Sequence, residues 1–210
     1  MSDPKPSARQ PGPEKIAASG PNDHEPKGWH SRGCLPHFDS PEISQHVIFR
    51  VFDSPPEGFV ADLPVDKVLR GRLIDRALDD GIGMTPMSRP EHAGIAENAL
   101  LHFDLQRYRM MSWCIMPNHV HGVFAQIAGF NLGQLIHSSK TYSARQINRL
   151  NGTLGPFWAV DYFERCIRNE EHLANTIEYV ENNPVHAGLV STAQTRHGHQ
   201  VNGNTAHLTM

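Results

Sequence analysis

RYRMMSWCIMPNHVHGVFAQI, which spans residues 107–127, predicts the architecture of the domain around it. Two runs rich in β-forming residues, 107–116 and 119–127, flank a Pro-Asn pair. Proline and asparagine favour a tight turn, so this pattern predicts a β-hairpin. Hairpin strands are antiparallel, and we therefore expect a sheet that is antiparallel at least in this part.

The second strand of this hairpin contains the triplet His119-Val120-His121. Successive side chains of a strand point to opposite faces, so the two histidines lie on one face and Val120 points back to the core. Two neutral imidazoles at this spacing can bind one divalent metal ion. Fourteen histidines in 210 residues also produce such pairs by chance, so the triplet needs support from elsewhere in the chain.

The rest of the chain alternates strand and helix patterns. Strands are predicted over 45–52 and 161–167, and helices over 66–79, 90–103, 132–150 and 169–182. Pro184 is predicted to end the last helix. Strands interleaved with helices favour an α+β fold with a central antiparallel sheet and flanking helices.

One domain is expected over residues 33–190. Residues 1–32 are rich in Pro, Gly, Ser and charge and have no apolar signal-peptide core, which predicts a disordered leader. Residues 191–210 are polar and weakly patterned, and we expect a disordered or altered tail there.

Composition excludes two classes of protein. Three cysteines without a Cys-x-x-Cys pair favour a reduced, cytoplasmic protein over a disulfide scaffold. No apolar stretch reaches the roughly 18 residues that a transmembrane helix needs. The formal net charge of −3 gives no support, for the chain as a whole, to a nucleic-acid partner.

Charge is nevertheless segregated along the sequence. Residues 105–160 contain no Asp or Glu, whereas the predicted helix within them carries Lys140, Arg145 and Arg149. Such a positive surface suits a phosphodiester backbone. The alternative is a solvated helix whose basic residues simply face water.

The last predicted helix places Tyr179 and Asn183 one turn apart on one face. An amide oxygen of Asn183 can bind a hard divalent ion, and the phenol of Tyr179 can act as a nucleophile. The alternative is structural, with Tyr179 at the edge of the core and Asn183 capping the helix before Pro184.

A metal-bound His pair, an amide ligand and a tyrosine together make one coherent chemistry. The metal ion would neutralise and orient a phosphodiester, and the tyrosinate would attack phosphorus, leaving a free 3′-OH and a 5′-phosphotyrosine. A second 3′-OH can reverse this step without ATP, and the sequence has no GxxxxGK[ST] phosphate-binding loop.

The runs WCIMPNHVH at 113–121 and YVENNPVHAGLV at 179–190 resemble the REP-associated tyrosine transposases, which are single-tyrosine HUH-type transposases related to IS200. Similar stretches occur at 35–39, 46–50, 155–158 and 162–168, and the likeness covers about residues 30–190. His46 lies in one of these stretches, but no role can be assigned to it.

This resemblance implies an HUH/Y1-type fold, which is ferredoxin- or RRM-like, and a metal-dependent nuclease and strand transferase. Its partner would be single-stranded or hairpin DNA from repeat elements, and the protein a monomer or a homodimer. By position, Tyr179 would be the nucleophile, and His119, His121 and Asn183 would hold Mg²⁺ or Mn²⁺. Lys140, Arg145 and Arg149 remain candidate DNA contacts.

Four alternatives stay open. The family commonly has a Trp-Ser-Ser run after Gly-Leu-Val, whereas residues 191–210 contain no Trp, so the chain could be a decayed or domesticated hairpin-DNA-binding protein. A metal hydrolase would use water as the nucleophile. Tyr142 is a rival nucleophile, although no metal-type ligand neighbours it. Cys114 and Cys166 with the His pair could mimic a zinc site, but Cys114 is expected in a different register on a neighbouring strand.

Overall fold

The computed structural model describes residues 28–32, 35–41, 43–191 and 199–200. In chain order its elements are β1 (Gly28–Arg32), β2 (Leu35–Asp39), β3 (Ser44–Arg50), α1 (Glu57–Ala61), α2 (Lys67–Asp79), α3 (Pro90–Leu101), β4 (Tyr108–Ile115), β5 (His119–Gln126), α4 (Leu132–Asn151), β6 (Phe163–Cys166), α5 (Glu170–His186) and β7 (His199–Gln200). A 3₁₀ turn, Pro86–Ser88, precedes α3.

The central sheet has the strand order β6-β3-β5-β4-β7. Its first four strands pair antiparallel, while β7 adds to the β4 edge in parallel. Taken along the chain, β3, the helices α2 and α3, β4, β5, α4 and β6 make the βαββαβ order of ferredoxin-like domains. The predicted α+β class with a central antiparallel sheet and flanking helices is confirmed.

The predicted hairpin forms between β4 and β5. Met116 N–H donates to the His119 carbonyl across the turn, and the β4–β5 register places Cys114 opposite His121. A register shift between Met110 and Ser112 marks a β-bulge in β4. The two histidines therefore share one face, as the period-2 pattern predicts.

Helices cover both faces of the sheet. The face that carries Val120 packs against α3 and α4 in the larger hydrophobic core. A smaller cluster, which includes Cys114, Val123 and Val180, lies between the opposite face and α5. Since the His pair is on that second face, the candidate site lies in the layer of α5 and away from α4.

Pro184 does not end the last helix, and this prediction was wrong. Helix α5 continues to His186, with Pro184 buried inside its last turns. An interior proline removes one backbone donor and crowds the carbonyl four residues earlier, and we attribute its tolerance here to this burial. The helix closes where Leu189 N–H donates to the Pro184 carbonyl and Gly188 adopts a positive φ of 69°. Asn183 is therefore an interior residue of the helix rather than its cap.

The chain ends differ in part from expectation. Gly28–Arg32 form a strand, β1, which pairs with β2, and are not the end of a disordered leader. Backbone pairing supplies the order that their composition does not indicate. Residues 1–27 lie outside the described part of the chain, as do 192–198 and 201–210 of the predicted tail. Within the described ranges, no helix has the length and apolar character to span a membrane.

Candidate active site

His119 and His121 face each other on the α5 side of the sheet. Both side chains are fully buried, and their Nε2 atoms are 2.7 Å apart. The rings meet edge to face, with centroids 4.6 Å apart. The spacing predicted from sequence thus brings two imidazole nitrogens to one point.

Asn118 fixes the protonation of His119. Its Nδ2 donates to the Ile82 carbonyl, an atom that can only accept, so its Oδ1 must face the imidazole. His119 Nδ1 lies 2.7 Å from that oxygen and is therefore the donor. Burial lowers the pKa of His119 to about 4, so the ring is neutral at pH 7 and its Nε2 carries a lone pair.

His46, on β3, holds the other ring. Its Nε2 is 3.0 Å from His121 Nδ1, and the two rings stack with centroids 5.2 Å apart. Burial, with the nearby His121, lowers the pKa of His46 well below its ordinary value. Asn118 and His46 therefore contact the Nδ1 atoms of the pair, and both Nε2 atoms are left facing one space.

Asp79, the last residue of α2, completes this space. Its Oδ1 lies 3.3 Å from His119 Nε2 and 3.7 Å from His121 Nε2. Burial alone would raise the pKa of the Asp79 carboxyl, but the polar groups around it, the two imidazoles and the Asn183 amide, outweigh burial and hold the pKa below the usual range. Asp79 was not among the residues predicted from the sequence, since no local pattern connects a helix end to a strand 40 residues later.

Tyr179 and Asn183 reach the same carboxylate from α5. The Tyr179 hydroxyl donates to Asp79 Oδ2 at 2.8 Å, and Asn183 Nδ2 donates to Oδ1 at 3.0 Å. Burial and the anionic Asp75 and Asp79 raise the pKa of Tyr179 above its ordinary value. The candidate nucleophile and the three candidate metal ligands from the sequence, Tyr179, His119, His121 and Asn183, thus converge on Asp79.

The donor set suits a divalent cation. One ligand atom each from Asp79, His119 and His121 lies within 4.8 Å of the others. Asn183 adds a carbonyl oxygen that is buried without a hydrogen-bond partner. Since the O and N atoms of an amide are assigned from their partners, a rotated Asn183 would present this oxygen where its Nδ2 now lies, 3.4 Å from His121 Nε2. Imidazole, carboxylate and amide groups together make a candidate metal centre.

The basic residues of α4 lie in the helix layer of the opposite face. Arg145 and Arg149 are exposed there. Lys140 instead donates to the carbonyls of three consecutive residues, 159–161, and burial lowers its pKa to about 8. Its ammonium supports a loop, so Lys140 is not a free cation for DNA.

The rival site residues, Tyr142 and the two cysteines, are not part of this group of donors. Tyr142 is 55% exposed on α4, and α4 packs on the face that does not carry the His pair. Cys114 pairs directly with His121 in the β4–β5 register, so the expected difference in register was wrong, but the thiol is buried and that burial raises its pKa. Across the described ranges, the group of side chains able to hold a metal includes His119 and His121 but neither Cys114 nor Cys166.

Comparison with known proteins places this geometry in context. Residues 98–183 match the family model described as IS200-like transposase. The chain is similar to the structure of a REP-associated tyrosine transposase bound to a REP hairpin, at 14% identity and TM-score 0.48 over 78% of each chain. It is also similar to a protein from Deinococcus radiodurans R1 described as a candidate transposase, at 16% identity and TM-score 0.35 over 73% of this chain and 96% of that one. No curated protein matches.

Proposed function

We propose that this chain, whose residues 98–183 match the family model of IS200-like transposases, cuts and rejoins single-stranded DNA through a covalent bond to Tyr179. One observation carries the proposal. The Asp79 carboxylate binds the Tyr179 hydroxyl through one oxygen, and its other oxygen lies beside both imidazole Nε2 atoms. A nucleophile and a candidate metal centre therefore share one residue.

The residues of the chain account for the chemistry as follows. The Tyr179 hydroxyl loses its proton to solvent, and its oxygen attacks the phosphorus of a phosphodiester. The bond from phosphorus to the 3′ oxygen breaks, and that oxygen takes up a proton to become a free 3′-OH. The 5′ phosphate stays on Tyr179, and attack by another 3′-OH reverses the step and joins two strands.

His119, His121, Asp79 and Asn183 would hold the metal ion, which we propose to be Mg²⁺ or Mn²⁺. When bound, it would neutralise the non-bridging phosphate oxygens and orient the phosphodiester. The protein favours metal binding in two ways. His119 stays neutral, so its Nε2 lone pair is available, and both rings are buried, which excludes water from their nitrogens. Asp79 also orients the Tyr179 phenol through the hydrogen bond that it accepts from the hydroxyl.

We further propose that the substrate is hairpin-forming DNA, cut in an unpaired segment. Support comes from the similarity of the sequence motifs to REP-associated tyrosine transposases. The complete set of His119, His121, Tyr179 and Asn183 favours an active enzyme over a protein that only binds hairpins, because binding alone does not need these four groups together. A metal hydrolase that used water as its nucleophile would not need the Tyr179 hydroxyl beside the candidate metal ligands.

Mass spectrometry tests this assignment. The full chain is incubated with hairpin DNA and Mn²⁺, digested with nuclease and protease, and searched for a nucleotide bound to a peptide. We expect a phosphodiester-linked nucleotide on Tyr179. An adduct on Tyr142, or cut DNA without any adduct, would contradict the assignment.

A further inference from the structure

A cavity of about 420 Å³ lies beside the candidate active site, between α2 and the strands β3 and β6. This volume falls within the roughly 300–1,000 Å³ that is typical of small-ligand sites. Its lining includes Ile48, Phe163 and Asp75. The account of Tyr179 and the His pair makes no use of this cavity.

The cavity adjoins the candidate active site along two elements. Asp75 precedes Asp79 by four residues, which is about one turn of α2. Ile48 pairs with His121 in the β3–β5 register and with Phe163 in the β3–β6 register. The cavity therefore adjoins the residues that surround Tyr179, namely Asp79 and His121.

Asp75 provides the main polar feature. Its Oδ1 is buried and has no hydrogen-bond partner, which is rare in folded proteins and destabilising unless a ligand or water supplies the donor. Burial raises the pKa of Asp75 to about 6. At pH 7 the group is therefore mainly a carboxylate, whose Oδ1 can accept a hydrogen bond from an N–H donor of a ligand.

The walls of the cavity suit a flat aromatic ring. Ile48, Ile74, Leu78 and Phe163 are among its lining residues. Helix α2 lies so close to Phe163 that a Cβ at Gly71 would be 2.8 Å from its Cε2 atom. The absence of a side chain at Gly71 thus sets how closely the helix approaches this aromatic wall.

Two guanidinium groups, of Arg50 and Arg70, also line the cavity. Arg50 donates to the Ser54 carbonyl at 2.8 Å, and Arg70 to the Leu63 carbonyl at 3.3 Å. Each guanidinium carries five N–H donors, so either group still has N–H donors left after it binds one carbonyl. The Asp161 carboxylate also lines the cavity and offsets part of the charge of Arg50. The Arg70 guanidinium supplies positive charge for a phosphate beside a bound base.

We propose that this cavity binds an unpaired guanine of the DNA strand, with Asp75 accepting hydrogen bonds from its Watson–Crick edge. The inference rests on the proposed function, since it makes DNA the ligand. Guanine presents two adjacent donors, N1–H and the N2 amino group, to a carboxylate, and no other DNA base does so. That edge is free only in an unpaired base, which can also pack its ring against apolar and aromatic walls.

Fluorescence anisotropy of short labelled oligo(dT), carrying one central dG, dA, dC or dT, tests the proposal. EDTA is present throughout, so neither cleavage nor a metal ion contributes. The wild-type full chain is expected to bind the dG oligonucleotide about tenfold more tightly than the others. Deoxyinosine, which lacks only the N2 amino group, should lose most of that gain.

Two variants assign the preference to Asp75. Asp75→Asn should remove the dG preference and make dG and deoxyinosine equivalent. Asp66→Asn is the matched control: it makes the same charge change on the exposed N-cap of α2, where asparagine caps equally well, and it should keep the preference. Circular dichroism and thermal melts show whether each variant folds.

Equal binding of all four oligonucleotides by the wild type would overturn the proposal, as would a dG preference that survives Asp75→Asn. These outcomes are independent of the proposed function. A Tyr179 adduct without any dG preference removes only the guanine site. A dG preference without an adduct keeps the guanine site and removes the nuclease.

Discussion

Tyr179 donates a 2.8 Å hydrogen bond to Asp79 although 100 residues separate them along the chain. The contact joins α5 to the end of α2 over the face of the sheet that carries His119 and His121. Both imidazole Nε2 atoms lie within 3.7 Å of the same carboxylate. Asp79 is thus the residue through which the nucleophile and the candidate metal ligands meet.

Asp79→Asn is expected to weaken Mn²⁺ binding by about ten- to a hundredfold, because it removes the anionic member of the donor set. Isothermal titration calorimetry on the DNA-free protein measures this directly. Asp80→Asn, at the exposed neighbouring position, makes the same charge change and should leave the Kd within about twofold. Equal Kd values for Asp79→Asn and the wild type would exclude Asp79 from the metal site.

Asn118→Ala should weaken Mn²⁺ binding by about tenfold while leaving the fold intact. Asn118 Oδ1 accepts from His119 Nδ1 and so holds a lone pair on Nε2. Without it, the ring can rotate or adopt the other tautomer. Metal titration checks the affinity, and the ¹⁵N chemical shifts of the histidine rings report the tautomer. An unchanged tautomer together with an unchanged Kd would contradict this positioning role.

The hairpin and the helix boundaries are largely encoded in local patterns. Residues rich in β-formers predict β4 and β5 with an error of at most one residue at any end, and Asn131 and Gly152 begin and end α4 as helix caps do. The relation of Asp79 to the His pair is not encoded locally, since it depends on how α2 packs. The tendency of proline to end a helix likewise fails at Pro184, where we attribute the continued helix to burial of the ring.

Side-chain charge was also an incomplete guide. Lys140, Arg145 and Arg149 form one basic stretch in the sequence. The backbone carbonyls that bind the Lys140 ammonium, however, belong to residues 159–161, in a loop that follows 19 to 21 residues later along the chain. Burial of its ammonium is a tertiary effect. The sequence therefore predicted the sign of the charge and not its availability.

Asp75 makes the stability of the DNA-free protein depend on pH. Its folded pKa of about 6 lies above the ordinary 3.8, so ionisation opposes folding. The stability associated with the neutral form is complete below pH 3.8 and is lost as the pH rises through 6. Asp75→Asn should therefore raise the free energy of unfolding by about 1–2 kcal/mol at pH 7.5 and leave it nearly unchanged at pH 4. Urea denaturation in EDTA checks both values, and a variant less stable than the wild type at pH 7.5 would contradict the assignment.

Arg145→Ala combined with Arg149→Ala tests whether α4 contacts DNA. If both guanidinium groups pair with phosphates, the slope of log Kobs against log salt should fall by about 1–2. Lys140→Ala should instead lower Tm and leave the slope unchanged, because its ammonium is bound to carbonyls. An unaltered slope in the double variant would remove α4 from the DNA path.

Trapping of a covalent complex tests the central claim most directly. The 5′ phosphate that stays on the protein belongs to the 3′ fragment, so the hairpin DNA must carry its label at the 3′ end. After incubation with Mn²⁺, a denaturing gel should show label at the mass of the protein for the wild type and for Tyr142→Phe, and none for Tyr179→Phe. Label that persists on Tyr179→Phe, or DNA that this variant still cuts, would show that Tyr179 is not the nucleophile.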